Sequence, residues 1–124
     1  MNVVSESEQR TTRTPAGSMF GLAAPSQGSA EISTWRVELK ADSATPVHII
    51  DREQVWMPVS GEFEVEVEGE TRQASRGQAV IIPAGAVRQV KAVGGTAEAL
   101  VAMVVGGKAM MPGRADKMPL PWAE

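Results

Sequence analysis

The chain has no cysteine, no tyrosine and one histidine, His48, among its 124 residues. Each absence excludes a class of chemistry. Without cysteine there is no disulfide framework, zinc finger, iron–sulfur ligation or thiol catalysis. With one histidine, no site can draw two or three imidazole ligands from a single chain, so any imidazole chemistry runs through His48. Aromatic residues make up only 4%. Neither sign of charge dominates: the net charge is −3, which gives no general attraction to nucleic acid or anionic membranes. Long apolar runs are also missing, since the longest, residues 79–87, is broken by Pro83 and Gly85. The N-terminal residues lack the apolar stretch of a secretory signal. A soluble, cytoplasmic protein is expected.

What is present is ordinary globular material, 43% hydrophobic and 22% charged, in a length suited to one domain. Residues 1–14 are polar and of mixed charge and read as a flexible N-terminal arm. The remainder, 15–124, is expected to be a single domain with its core at about 31–105. Within it, residues 15–30 are rich in Pro, Gly, Ala and Ser. They read as an irregular lead-in or, through Met19, Phe20 and Leu22, as an edge strand docking on a partner subunit.

From Glu31 the pattern has period two. Trp35, Val37 and Leu39 alternate with Arg36, Glu38 and Lys40, which predicts a half-buried strand. A turn at 42–46 leads to an extended region over 47–59, and Ser60–Glu62 reads as a glycine turn. Phe63, Val65 and Val67 then face one way and Glu64, Glu66 and Glu68 the other. Short strands are predicted at 71–75, 79–83, 88–93 and 97–105. The tail has no period and is expected to wrap the surface, anchored by Leu120 and Trp122. About eight short strands and no helical period predict an all-β sandwich or barrel.

The turn residues resemble the cupin family, a jelly-roll β-barrel also described as a double-stranded β-helix. The family's first motif runs Gly, His, His, Glu, Gly; its positions fall here on Asp42, His48, Ile50, Gln54 and Gly61. The second runs Gly, Pro, Gly, His, Asn; its positions fall on Gly77, Pro83, Gly85, Arg88 and Ala92. Four turn positions match and the ligand positions depart. The resemblance covers about 31–105. It implies that a divalent transition metal, which the family binds through its His and Glu positions, has lost its site. A neutral amide is a weak ligand and a guanidinium is none, and a fixed cation repels a divalent ion. A weak metal held by His48 and Gln54, aided by Glu53 and water, stays as an alternative. The EQVW, RQV and PW segments are also similar to small actinobacterial cupins found near natural-product biosynthesis, polyketide cyclases among them.

Carried onto this sequence, the family frame turns His48, Gln54 and Arg88 into the barrel mouth. Trp56 and Pro58 share the parity of Gln54, and Val90 shares that of Arg88. His48 is the candidate acid–base group; Arg88 and Gln54 are candidate donors to a carbonyl or enolate. Trp56, Pro58, Val90 and Arg36 are candidate substrate contacts, although Arg36 lies on the polar parity of its strand. Arg88 could instead pair with Asp51 or Glu53. A base and an oxyanion donor suffice for proton abstraction beside a carbonyl. The expected function is therefore a metal-independent cyclase, dehydratase or isomerase acting on a small molecule. A non-catalytic ligand-binding sensor or carrier is the alternative. A homodimer is expected, with the 15–30 segment as a candidate swapped strand.

Overall fold

A computed structural model describes all residues, 1–124. Alternation of apolar and polar side chains yields ten strands: β1 (Thr11–Arg13), β2 (Gly17–Gly21), β3 (Ile32–Leu39), β4 (His48–Ile50), β5 (Gln54–Val67), β6 (Glu70–Ser75), β7 (Val80–Ile82), β8 (Val87–Val104), β9 (Lys108–Met110) and β10 (Met118–Pro119). There is no α-helix, only three short 3-10 helices, and no helix is long and apolar enough to cross a membrane. Every strand pairing is antiparallel.

Two long strands shape the barrel. Residues 54–60 of β5 pair with 98–103 of β8, while residues 62–67 of β5 pair with 88–93 of β8. The upper part of β8 also meets β3, and its start meets β4. The sheet therefore bends where both strands are irregular. In β5 the register shifts on either side of Ser60. Gly61 there has φ 75°, and a Cβ at this position would lie 2.5 Å from the carbonyl oxygen of Thr96, so only glycine fits. Opposite, Gly94 has φ 81°. The sequence predicts a glycine turn at 60–62 and separate strands at 88–93 and 97–105. Residues 60–62 and 94–96 are instead bends inside continuous strands, because a left-handed glycine serves a bulge as well as a reversal. At 68–69 the chain does reverse: Glu68 and Gly69, with φ 49° and 80°, close the β5–β6 hairpin.

The N-terminal region also differs from expectation. Thr11–Arg13 is not a loose arm but an edge strand on β2. Glu6 reaches back to Arg36, with an oxygen 2.8 Å from Nε. The candidate swapped segment forms β2, which pairs with β3 of its own chain.

The core follows the alternation. Trp35, Val37, Leu39, Phe63, Val65, Val90, Ala99 and Val101 are all buried. Full burial of Phe63 contributes about 2–3 kcal/mol. In the tail, Leu120 is buried, and the Trp122 ring stands edge-on to Trp35 with centroids 6.5 Å apart. The Ser33 hydroxyl donates to the Ala123 carbonyl at 2.6 Å, fastening the tail to β3. Both predicted anchors hold the tail, which adds the short β9–β10 pair that its lack of period concealed.

Candidate functional site

The barrel holds a partly open cavity of about 410 Å³. Strand β3 contributes Trp35, Val37 and Leu39, β4 contributes His48 and Ile50, and β5 contributes Gln54 and Trp56. Thr14, Pro15, Ala16 and Met19, with the tail residues Met111, Met118, Leu120 and Trp122, complete its wall. Thirteen of its nineteen wall residues are hydrophobic and none is a carboxylate. An apolar ligand body suits such walls, and His48 is the only side chain on them that can act as a base near neutral pH.

His48 lies opposite Arg88 in the β4–β8 ladder. Its Nδ1 sits 2.6 Å from the Pro46 carbonyl oxygen. A carbonyl only accepts, so Nδ1 carries the hydrogen and Nε2 keeps its lone pair. Burial lowers the pKa of His48; the Pro46 carbonyl opposes this, and the charge on Arg88 adds to it. The imidazole is therefore neutral at neutral pH, with a free basic nitrogen.

Gln54 is buried and held from two sides. Trp56 donates from Nε1 to its Oε1 at 3.1 Å, and Arg88 donates from Nη2 to the same oxygen at 2.9 Å. Neither partner can accept, so the amide orientation is forced. Nε2 is left beside the Met103 sulfur at 3.5 Å, a weak acceptor that leaves most of the donor's capacity unused.

Arg88 is 2% exposed, the largest fully buried side chain. Apart from the bond to Gln54 its guanidinium lacks partners: buried Nε and Nη1 have none. Burial pushes its pKa down to about 10, so it remains a cation at neutral pH. The drop from the ordinary guanidinium range to about 10 corresponds to roughly 3 kcal/mol of unfavourable burial. The carboxylate partners considered from sequence are elsewhere. Glu53 is exposed. Asp51 accepts from the Lys108 N–H at 2.8 Å and pairs with Lys117 at 3.0 Å.

Three predicted contacts are corrected. Pro58 is buried but pairs with Ala99 away from the cavity wall. Val90 is 1% exposed and packs in the core. Parity placed both on the inner face correctly, but it says nothing about depth along the barrel. Arg36 lies on the outer face, where Glu6, Glu38 and Glu98 surround it at 2.8, 3.3 and 3.5 Å. It stacks 3.9 Å above the Phe20 ring. Arg88 is also not itself on the wall; it stands behind Gln54. Sequence reasoning missed the walls supplied by residues 14–19 and by the methionine-rich tail. Three methionines outside the core strands, Met19, Met111 and Met118, were the available signal, since adaptable thioethers suit a binding surface.

The family's metal does not fit these residues. Ile50 offers no donor, the oxygen of Gln54 already accepts two hydrogen bonds, and Arg88 is a fixed cation. Glu53 points to solvent, so the weak-metal alternative lacks its helper. No group of three or more His, Cys, Asp and Glu side chains could hold an ion.

Residues 35–105 match the family profile described as Cupin domain. No curated protein matches the chain. Among solved structures, a variant of oxalate decarboxylase from Bacillus subtilis matches with TM-score 0.73 and 15% identity, covering 83% of this chain and 29% of that one. The chain thus spans under a third of that protein's length. KdgF from Halomonas sp. matches with TM-score 0.67 and 21% identity, over 76% of this chain and 84% of that one. The polyketide cyclase RemF from Streptomyces resistomycificus matches with TM-score 0.72 and 18% identity, over 96% and 84%. At these identities the likeness establishes the fold alone. The family profile covers more than half of the sequence, so the chain belongs to the cupin family.

Proposed function

We propose that this cupin is a metal-independent enzyme, a cyclase, dehydratase or isomerase, acting on a polyketide-like small molecule with an enolisable carbonyl. One observation carries the reading: a largely apolar cavity with one free base, His48 Nε2, and one underused donor, Gln54 Nε2, on its wall. The likeness to RemF, a polyketide cyclase matched over 96% of this chain, supports the substrate class.

The chemistry balances without a co-reactant. His48 Nε2 takes a proton from the carbon beside the carbonyl. The C–H electron pair becomes the carbon–carbon double bond of an enolate, and the carbonyl oxygen takes up the negative charge. Gln54 Nε2 donates to that oxygen. The imidazolium then returns its proton: to another carbon of the conjugated enolate in isomerisation, to a leaving hydroxyl in dehydration, or, in ring closure, to the oxygen of a second substrate carbonyl whose carbon the enolate carbon has attacked and whose C=O π pair has moved to that oxygen. Trp56 forms a flat wall suited to an aromatic or polyene ligand.

Deuterium uptake by 1-tetralone in heavy water, followed by NMR, tests the reading. Exchange above buffer, retained after chelation and lost in His48→Ala, supports it. No exchange above buffer, with the compound bound and unchanged over hours, favours a sensor or carrier. A cytoplasmic homodimer is part of the same proposal. Ile32, Met57, Leu100 and Val104 are exposed on the outer sheet face, where Ile32 lies opposite Val104 and Met57 opposite Leu100. That face suits a second copy, and a monomer by light scattering at micromolar concentration would count against it.

A further inference from the structure

The polar atoms around the cavity are unbalanced. Those with unused capacity are almost all donors: Gln54 Nε2, faced only by a thioether, and buried Trp122 Nε1, which has no partner. Behind them lie Arg88 Nε and Nη1, also without partners. Against these stands one acceptor, His48 Nε2. The two wall threonines are engaged elsewhere, Thr45 Oγ1 accepting from the Val90 N–H and Thr14 Oγ1 bonding to Gly17. A site that buries unmet donors and a cation, with no carboxylate on its wall, is matched by a ligand rich in acceptors and negative charge.

Arg88 acts on that ligand from one side chain back. Its only bond is to Gln54 Oε1, and His48 lies opposite it in the ladder and feels its charge, so it acts on both candidate wall residues. Donation by Arg88 and Trp56 to one amide oxygen polarises the amide, and its opposite N–H becomes a stronger donor. The guanidinium has no counter-charge nearby, so its field reaches the cavity through a low-dielectric interior.

We infer that the cavity selects ligands bearing an anionic oxygen, a carboxylate, phenolate or enolate on an apolar body, received by Gln54 Nε2. Arg88 is the positioning residue that fixes Gln54 and supplies the positive field. This rests on the proposed function only in taking the cavity as the working site.

The test compares 2-naphthoate with 2-acetylnaphthalene, its uncharged counterpart of similar shape, by calorimetry. Wild-type protein is expected to bind the anion about tenfold more tightly or better, the worth of a hydrogen bond to a charged group. Arg88→Met is expected to erase that preference, and Arg88→Lys to restore part of it. The lone histidine gives a single imidazole NMR signal, which supplies a second readout. No Asp, Glu, Lys or Arg side chain lines the cavity, so naphthoate should raise the titration point of His48, as should Arg88→Met. Equal affinity for the two compounds, or a preference surviving in folded Arg88→Met, overturns the inference. If Arg88→Met does not fold, Gln54→Leu decides: lost preference supports the inference and retained preference overturns it. Anion selectivity without tetralone exchange would sink the catalytic reading alone, and exchange without selectivity would sink this one alone.

Discussion

Two arginines stand on opposite faces of the same curled sheet and meet opposite fates. Arg36 sits on the outer face of β3 among Glu6, Glu38 and Glu98, stacked on Phe20. Its hydrogen bonds to Glu6 push its pKa up, against a smaller opposing effect of burial. Arg88 sits on the inner face of β8 with no carboxylate, and burial pushes its pKa down to about 10. The outer arginine is therefore expected to stabilise the fold a little and the inner one to cost it stability. Perturbed buried charges cluster at functional sites, and under the proposed function the cavity beside Arg88 is what such a cation would serve.

The contrast can be broken in order of expected effect. The largest concerns the base that Arg88 faces. His48→Ala should lower tetralone exchange at least about 100-fold, the lower range for a lost general base, with unfolding temperature nearly unchanged. Next is the opposite sign of the two arginines in urea unfolding. Arg88→Met should leave stability unchanged or raise it by about 1–2 kcal/mol, since roughly 3 kcal/mol of burial penalty is relieved and a charged hydrogen bond worth about 1.5–3 kcal/mol is lost. Arg36→Met should lower stability by at most about 1 kcal/mol, as for exposed pairs.

A third test is acid titration. The folded pKa of His48 lies below its ordinary 6.5, so below about pH 6.5 the unfolded chain binds more protons and stability falls with falling pH. His48→Gln should remove that limb and leave the later one. That later limb comes from Glu6 and Asp51. The hydrogen bond from Arg36 lowers the pKa of Glu6. At Asp51, burial pushes upward but is outweighed by the Lys108 N–H and the Lys117 ammonium. Stability from both carboxylates is lost as pH falls through their lowered pKa values. The smallest effect is salt. At about 1 M ionic strength, where screening acts within ~3 Å, the cost of Arg36→Met should shrink towards zero. The effect of Arg88→Met should not change.

The same contrast marks what the sequence made legible. Parity along β3 separated Trp35, Val37 and Leu39 from Arg36, and the structure buries the first three and exposes the last to its carboxylates. The turn frame at Gly61, Gly77, Pro83 and Gly85 led to the barrel. Parity along β8 put Arg88 inside. It could not say that Arg88 stands behind Gln54, or that Pro58 and Val90 lie off the wall, because depth along a barrel depends on register with distant strands. Nor could it join the halves of β5 and β8, since a glycine looks the same in a bulge as in a turn. The tail's part in the cavity was hidden for a related reason: it packs by single anchors, without a period.

That tail has a kinetic consequence. It is fastened to the barrel by the two-residue β10, by Leu120 and Trp122, by the Lys117–Asp51 ion pair, and by hydroxyl bonds from Ser33 to the Ala123 carbonyl, 90 residues apart in sequence, and from Ser26 to the Glu124 main-chain oxygen. So few bonds, formed across so long a loop, make a unit that opens locally at a free energy well below that of the whole barrel. Amide exchange at 118–123 should accordingly outpace that of β5 and β8. Because Met118, Leu120 and Trp122 also line the cavity, each such opening would remove part of its wall.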